Sequence, residues 1–219
     1  MTSIIIPANG HSNFSRGEFG ETYVQTHDSL NSTIIRHNPP NHIIRIENSG
    51  NPGAYVISRA AVYFPATVVP GNIVAMNLEI WIAIPPGGTE FDPPSSTVYI
   101  VQGTGNLQGF DNSDYGVLGS HNTVANTGVT YDLFDIAGAY FSIPLFSSAF
   151  GWFVSGQPFN LGVRVKGDVD SVVPTGSNDL EVFEKWQNAG AVQNSSLTIT
   201  YALQSGNAIK KKLFVSGLI

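Results

Sequence analysis

The sequence predicts an all-β protein, an antiparallel sandwich with one short helix and a C-terminal extension. Three observations lead to this fold class. About ten short apolar runs recur along the chain, with turn residues every 8–12 positions. Several runs alternate apolar and polar residues, which is typical of a strand with one buried face. The length of 219 residues suits a single large β domain.

Two adjoining runs form the predicted centre of the sandwich. The runs Tyr55–Phe64 and Ile73–Ile84 are joined by a connector that contains Pro65, Pro70 and Gly71, residues that favour a sharp turn. The second run carries its apolar residues at even positions, so we expect them to share one buried face. These residues are Val74, Met76, Leu78, Ile80, Ile82 and Ile84.

The chain before this pair predicts an arm followed by short strands. Residues 1–20 are rich in turn residues and predict an N-terminal arm, in which Ile4–Ile6 is the candidate for a short strand. Strands are then expected at Glu21–Gln25, Thr33–Arg36 and His42–Glu47. We expect the sandwich domain to extend from residue 21 to residue 204.

The chain after the central pair predicts four further strands and one helix. The strands are expected at Thr97–Gln102, Phe159–Val165, Leu180–Trp186 and Leu197–Leu203. The helix is expected at Ser142–Val154, because an apolar stripe with helical spacing runs through it and Pro144 falls in its first turn. Residues 103–128 read as a long loop.

Charge and composition exclude several classes of protein. Charged residues make up 12% of the chain, against about 25% in an average globular protein. Between residues 60 and 163 there are seven acidic residues and no Lys or Arg, which argues against nucleic-acid binding. We expect no signal peptide, since the N-terminus lacks a basic region, and no membrane-spanning segment.

Candidate metal and catalytic residues are few. The glycine-rich loop with Asp111 and Asp114 offers the oxygen ligands that calcium prefers, although such residues also form ordinary turns; the same two interpretations apply to Gly167–Ser171. The chain has no cysteine and no G-x-S-x-G motif. We therefore expect a non-enzymatic protein with no cofactor other than a structural calcium ion.

Two aromatic residues are candidates for a glycan platform. Trp81 lies on the less apolar face of its predicted strand, and Tyr99 lies on the mixed face of another strand. A flat ring covers the apolar face of a sugar, but sandwich faces also bury aromatic residues in their cores. Both interpretations stay open.

The C-terminal segment 205–219, called the tail below, contains the strongest interaction signal. It carries Lys210, Lys211 and Lys212, three of the ten basic residues, and then Leu213, Phe214, Val215, Leu218 and Ile219. Such a segment either binds a neighbouring subunit or forms a last strand of its own domain, with the lysines protecting an edge.

The order of elements resembles a known family. The run Ser58–Phe64 leads through Val69-Pro70-Gly71 into the long strand, and the predicted helix leads through Gly156 into Phe159–Val165. This order resembles the disaggregatase-related jelly rolls, a group similar to carbohydrate-binding modules, in which an arginine precedes the proline turn and would correspond to Arg59. The resemblance covers roughly residues 20–203 and implies an antiparallel jelly-roll β-sandwich.

Members of that group occur in structural proteins of tailed phages and on secreted or cell-surface proteins. We therefore expect a virion structural protein, either a capsid decoration (cement) protein or a tail-associated component. It would bind capsid or tail proteins of the same particle and form a homo-oligomer. The alternative is a free-standing carbohydrate-binding module.

Overall fold

The part of the chain that the computed structural model describes contains twelve strands and three short helices with defined bounds, and positions 115, 116 and 118 are helical as well. The described residues are 1–37, 41–48, 55–83, 95–103, 113, 115–116, 118, 129–132, 139–174, 182–185 and 195–203. The strands are β1 (Thr2–Pro7), β2 (Gly10–Arg16), β3 (Ile34–His37), β4 (Asn41–Asn48), β5 (Tyr55–Phe64), β6 (Gly71–Ala83), β7 (Ser95–Gln102), β8 (Val129–Asp132), β9 (Ala139–Pro144), β10 (Phe159–Val165), β11 (Val182–Lys185) and β12 (Ser196–Leu203). The helices are α1 (Tyr23–His27), a 3₁₀ helix (Ser147–Trp152) and α2 (Lys166–Val169).

The strands form two antiparallel sheets, which confirms the all-β sandwich. Sheet A contains β1, β12, β6, β9 and β11. Sheet B contains β3, β2, β5, β10, β7 and β8. Strand β4 belongs to both, because its first half pairs with β11 and its second half pairs with β5.

The core lies on the apolar faces of the two sheets. Met76, Leu78 and Ile80 of β6 are buried in one cluster with residues of sheet B, as the alternation in the sequence predicts. Four apolar residues of β10 and β12 are buried in the same cluster: Leu161, Val163, Leu197 and Ile199.

Val74 departs from this pattern. It is 41% exposed, although its even position predicts burial. Thr200 of β12 pairs with Ala75 and Tyr201 pairs with Ile73, so Val74 is the extra residue of a β-bulge. A bulge shifts the side-chain alternation by one position, which turns Ile73 towards the core. The side chain of Ile82 lies outside the described residues.

The predicted N-terminal arm lies within the sandwich. Strand β1 pairs with β12 along its whole length in sheet A, and β2 pairs with β3 and β5 in sheet B. Ile6 and Phe14 are buried in the core. The turn residues between Pro7 and Gly10 mark the crossing from one sheet to the other and do not mark a flexible arm.

Two predicted local structures are corrected. Residues predicted as a strand at Glu21–Gln25 instead begin α1, because Thr22 and Gln25 form a capping box in which each side chain bonds the other residue's backbone N–H. The predicted helix Ser142–Val154 is shorter and is a 3₁₀ helix. Its first residues belong to β9, where Ile143 pairs with Leu78.

Sheet B is covered on both faces. Every residue of β10 is buried, although its alternating sequence predicts one solvent-exposed face. The covering elements, called the cover layer below, are α1, α2 and the described positions of residues 115–118. The candidate functional site lies between this layer and sheet B.

Candidate functional site

Three charged side chains lie between the cover layer and sheet B, and none of them is exposed to solvent. Arg59 belongs to β5, Arg164 belongs to β10 and Asp168 belongs to α2. Strands β5 and β10 pair with Val163 opposite Ala60, so the two arginines are neighbours across the ladder. These three residues are called the arginine cluster below.

The carboxylate of Asp168 binds both guanidinium groups. Arg59 donates from Nε to Oδ2 at 2.9 Å and from Nη2 to Oδ1 at 2.8 Å, which is a bidentate ion pair. Arg164 donates from Nε to Oδ2 at 2.6 Å and from Nη2 to the backbone oxygen of Asp168 at 2.7 Å. Helix α2 begins directly after β10, and this places Asp168 one turn from Arg164.

The charge state of the cluster follows from these contacts. Burial alone raises the pKa of Asp168, but the arginine charges and their hydrogen bonds outweigh it and hold that pKa well below its ordinary value. The carboxylate is therefore ionised and serves as the anchor of two cations. It is therefore not available to give up or take up a proton in a reaction.

Arg59 also ties the separate segments of the cover layer together. Its Nη1 donates to the backbone oxygen of Tyr115 at 3.0 Å, and its Nη2 donates to that of His27 at 2.9 Å. The guanidinium lies 4.0 Å from the ring centre of Tyr115, within the range of a cation–π contact. The hydroxyl of Tyr115 donates to the backbone oxygen of Thr26 at 2.9 Å. One side chain thus fixes α1, α2 and the segment around Tyr115 on sheet B.

At the margin of the cluster, His27, Asp28 and Ser171 have the order of a catalytic triad. His27 Nδ1 lies 2.5 Å from Asp28 Oδ1, and His27 Nε2 lies 3.4 Å from Ser171 Oγ. Ser171 has a φ of 56°, a conformation that non-glycine residues seldom adopt.

The hydrogen bonds of His27 argue against a catalytic role. Its Nε2 lies 2.7 Å from the backbone oxygen of Asp168. A carbonyl oxygen only accepts hydrogen bonds, so Nε2 carries a hydrogen and donates it there. It is then unable to take the proton of Ser171, as a general base must. The contacts of His27 hold α1 against the turn after α2.

The structure places the predicted glycan residues in different sheets. Tyr99 is half-buried in β7 of sheet B, where it lies opposite Arg164. Trp81 belongs to β6 of sheet A, where it lies opposite Tyr140. The two residues therefore do not share one sheet.

The structure describes one of the two predicted metal sites and not the other. Asp111 and Asp114 lie outside the described residues. In the second candidate loop, Asp168 is committed to the two arginines, and Asp170 forms an ion pair with Lys166. Asp168 is therefore not free to bind a calcium ion, which removes one of the two carboxylates on which the calcium interpretation of Gly167–Ser171 depends. No group of three or more His, Asp or Glu residues suited to a metal occurs in the described ranges.

The tail also lies outside the described residues, with all of its predicted contact residues from Lys210 to Val215. Strand β12 ends at Leu203, which pairs with Gly71 and is 64% exposed. The last described residue before the tail therefore lies at the surface of the protein.

Sequence reasoning missed the arginine cluster as a unit. The two bidentate partners, Arg59 and Asp168, are 109 positions apart, so no local pattern joins them. A signal was nevertheless present. Arg59 is the sole charged residue of the apolar run Tyr55–Phe64, and a lone charge in a buried strand requires a buried partner.

The comparisons with known proteins identify no family for this chain. No family model matches the chain, and no curated protein matches it. None of the helices in the described ranges has the length and apolar character needed to cross a membrane. The resemblance to the disaggregatase-related jelly rolls stays a prediction from the order of elements.

Proposed function

We propose that this protein is a non-enzymatic structural protein of a virus particle, a jelly roll that acts as a phage capsid decoration (cement) or tail-associated component. It assembles with capsid or tail proteins and with copies of itself. The observation that carries the proposal is the end of β12. Leu203, the last described residue before the tail, is 64% exposed and pairs with Gly71.

The interior of the protein supports a structural role. The carboxylate that is buried deepest beneath the cover layer binds two arginines, and the buried histidine beside it donates to a backbone oxygen. These groups are engaged in contacts within the fold. We therefore look for specific binding by the described part of the chain at strand edges and exposed apolar side chains, and by the tail.

The tail has the composition of a docking segment. The five large apolar residues that follow its lysines would contribute about 1.5–3 kcal/mol each if fully buried in a partner, before the cost of ordering. Lys210–Lys212 would meet an acidic surface, and the lysine- and arginine-free span from residue 60 to residue 163 of a second copy, with its seven acidic residues, is our candidate for it.

The test is deletion of residues 205–219. We expect the melting temperature to change little, and co-sedimentation with the virus particle whose genome encodes the chain to be lost. Replacing Lys210–Lys212 by Gln is the matched control for charge, since it keeps the apolar residues. A fall of many degrees in melting temperature would show that the tail is the last strand of its own domain.

The second candidate function is a free-standing carbohydrate-binding module. It is supported by the half-buried position of Tyr99 in β7, because part of the ring remains accessible. A glycan array probed with the natural protein, Trp81→Ala and Tyr99→Ala distinguishes the two functions. A glycan signal that depends on either ring would favour this second function.

A further inference from the structure

Strand β1 has one edge that is open in the described part of the chain and unusual in composition. In the described part of the chain it pairs with β12 alone, and its sequence TSIIIP contains no charged residue. Ile5 is 67% exposed. Proteins usually protect such an edge with lysines, bulges or a covering loop, because an unprotected edge pairs with other strands.

The hydrogen bonding identifies which backbone groups face outwards. Ala8 donates its N–H to the backbone oxygen of Ser195, directly opposite, at 2.7 Å. Because bonded and non-bonded pairs alternate along an antiparallel ladder, Ile6, Ile4 and Thr2 also bond to β12. The N–H and C=O groups of Ser3 and Ile5 therefore point away from the sheet. Pro7, which has no N–H, falls at the next outward position, where proline is tolerated.

We propose that β1 is a self-association edge, through which two copies of this chain pair antiparallel about a two-fold axis at Ile4. In this register Ser3 of each copy lies opposite Ile5 of the other, and the two pairs exchange four backbone hydrogen bonds. Sheet A then continues across both copies. The arrangement is self-complementary, as a two-fold interface must be.

The register with its two-fold axis at Ile5 uses the edge less well. Moving the axis to Ile5 places Ser3 opposite Pro7, and the Ser3 carbonyl then faces a residue with no N–H. With the axis at Ile4, every outward group of Ser3 and Ile5 finds a partner. Ile4, which is half-buried against the core, would lie beside Ile4 of the second copy and gain further burial.

Charge favours β1 as the place where two copies meet. The chain has a net charge of −6, so two copies approach best where neither carries charge, and β1 is such a place. The role of this edge in a particle rests on the proposed function. The edge deepens that function, because it is the surface through which copies associate.

Cysteine cross-linking tests the register directly, because the natural chain contains no cysteine. Opposite residues of a non-bonded antiparallel pair have the Cα separation that a disulfide requires. We expect Ile4→Cys in the full chain to form an intermolecular disulfide about tenfold faster than Ile5→Cys, since pairing holds the two residues at high effective concentration. Random collision gives the opposite order, because Ile5 is the more exposed residue. Equal rates, or faster reaction of Ile5→Cys, would overturn the proposal.

Charge substitution tests the same edge in solution. We expect the natural chain to show a concentration-dependent dimer by sedimentation equilibrium and Ile5→Lys to be monomeric with an unchanged melting temperature. The matched control is Ile34→Lys on the edge strand β3, where Ile34 is 50% exposed; it should leave the dimer intact. A natural chain that stays monomeric up to about 1 mM, or equal loss of the dimer in both variants, would refute edge pairing.

The two proposals fail separately. A monomeric chain that still binds the particle through its tail would leave the proposed function standing and remove the self-association edge. A β1 dimer that binds no particle would do the reverse.

Discussion

Arg59, Arg164 and Asp168 place two cations and one anion where solvent does not reach, and such a group is stable only while its partners remain. We predict that Asp168→Asn lowers the free energy of unfolding by about 3–5 kcal/mol, because it leaves two buried guanidinium groups without their anion. Urea denaturation measures the change.

The control for this substitution lies two residues along the chain. Asp170→Asn removes the carboxylate that pairs with Lys166 at the surface, and exposed ion pairs contribute at most about 1 kcal/mol. If Asp168→Asn cost no more than Asp170→Asn, the arginine cluster would not be holding the cover layer in place.

His11 provides a pH-dependent prediction at the same scale. Burial lowers its pKa from 6.5 to about 3, so between these values the unfolded chain binds a proton that the folded chain does not. We predict that the free energy of unfolding falls as the pH falls through this window, by about 1.4 kcal/mol per pH unit. The contribution of Asp168, with an ordinary pKa of 3.8, begins to be lost only near the lower end of this window.

Urea denaturation at several pH values between 6.5 and 4 measures this dependence. In the His11→Leu variant we expect the slope to be smaller by the contribution of one histidine. The comparison uses the slope of the free energy of unfolding against pH and not the absolute stability. The reason is that His11→Leu also changes the packing beside Val62, which lies opposite His11 in β5. An identical slope in the two proteins would mean that His11 is protonated in the folded state.

At the scale of the element, β6 contains two residues that have the same place in the sequence pattern but differ in burial. Ile80 and Val74 both fall at even positions of one alternating strand, but only Ile80 lies in the core. We predict that Ile80→Ala costs about 2–5 kcal/mol and that Val74→Ala costs under about 1 kcal/mol, both measured by urea denaturation. Similar costs at the two positions would contradict the bulge that turns Val74 to the surface.

At the scale of the whole molecule, the two ends of the chain should behave differently. We predict that deletion of residues 2–7 lowers the free energy of unfolding by more than the ~1.5–3 kcal/mol expected for burial of Ile6 alone, since it also removes the β1–β12 ladder. Deletion of the tail should cost far less. Thermal unfolding of both deletions at low protein concentration compares them. A harmless deletion of residues 2–7 would restore the interpretation of this segment as an arm.

The sequence by itself determined the fold class and several strands. The strands Tyr55–Phe64 and Phe159–Val165 have the predicted bounds, because period-two alternation is a local property that a short window contains. The apolar face of β6 was predictable for the same reason as far as Ile80. The prediction failed at Val74, where the pairing with β12 introduces the bulge.

The tertiary structure decided what covers sheet B and which polar residues are buried. Whether Ser142 and Ile143 join a helix or a strand depended on pairing with β6, and the arginine cluster depended on a chain reversal that brings α2 back over β5. A sequence window shows that Arg59 is a lone charge in an apolar strand. It does not show Asp168 more than 100 positions away, because the ion pair exists only after the sheets have formed.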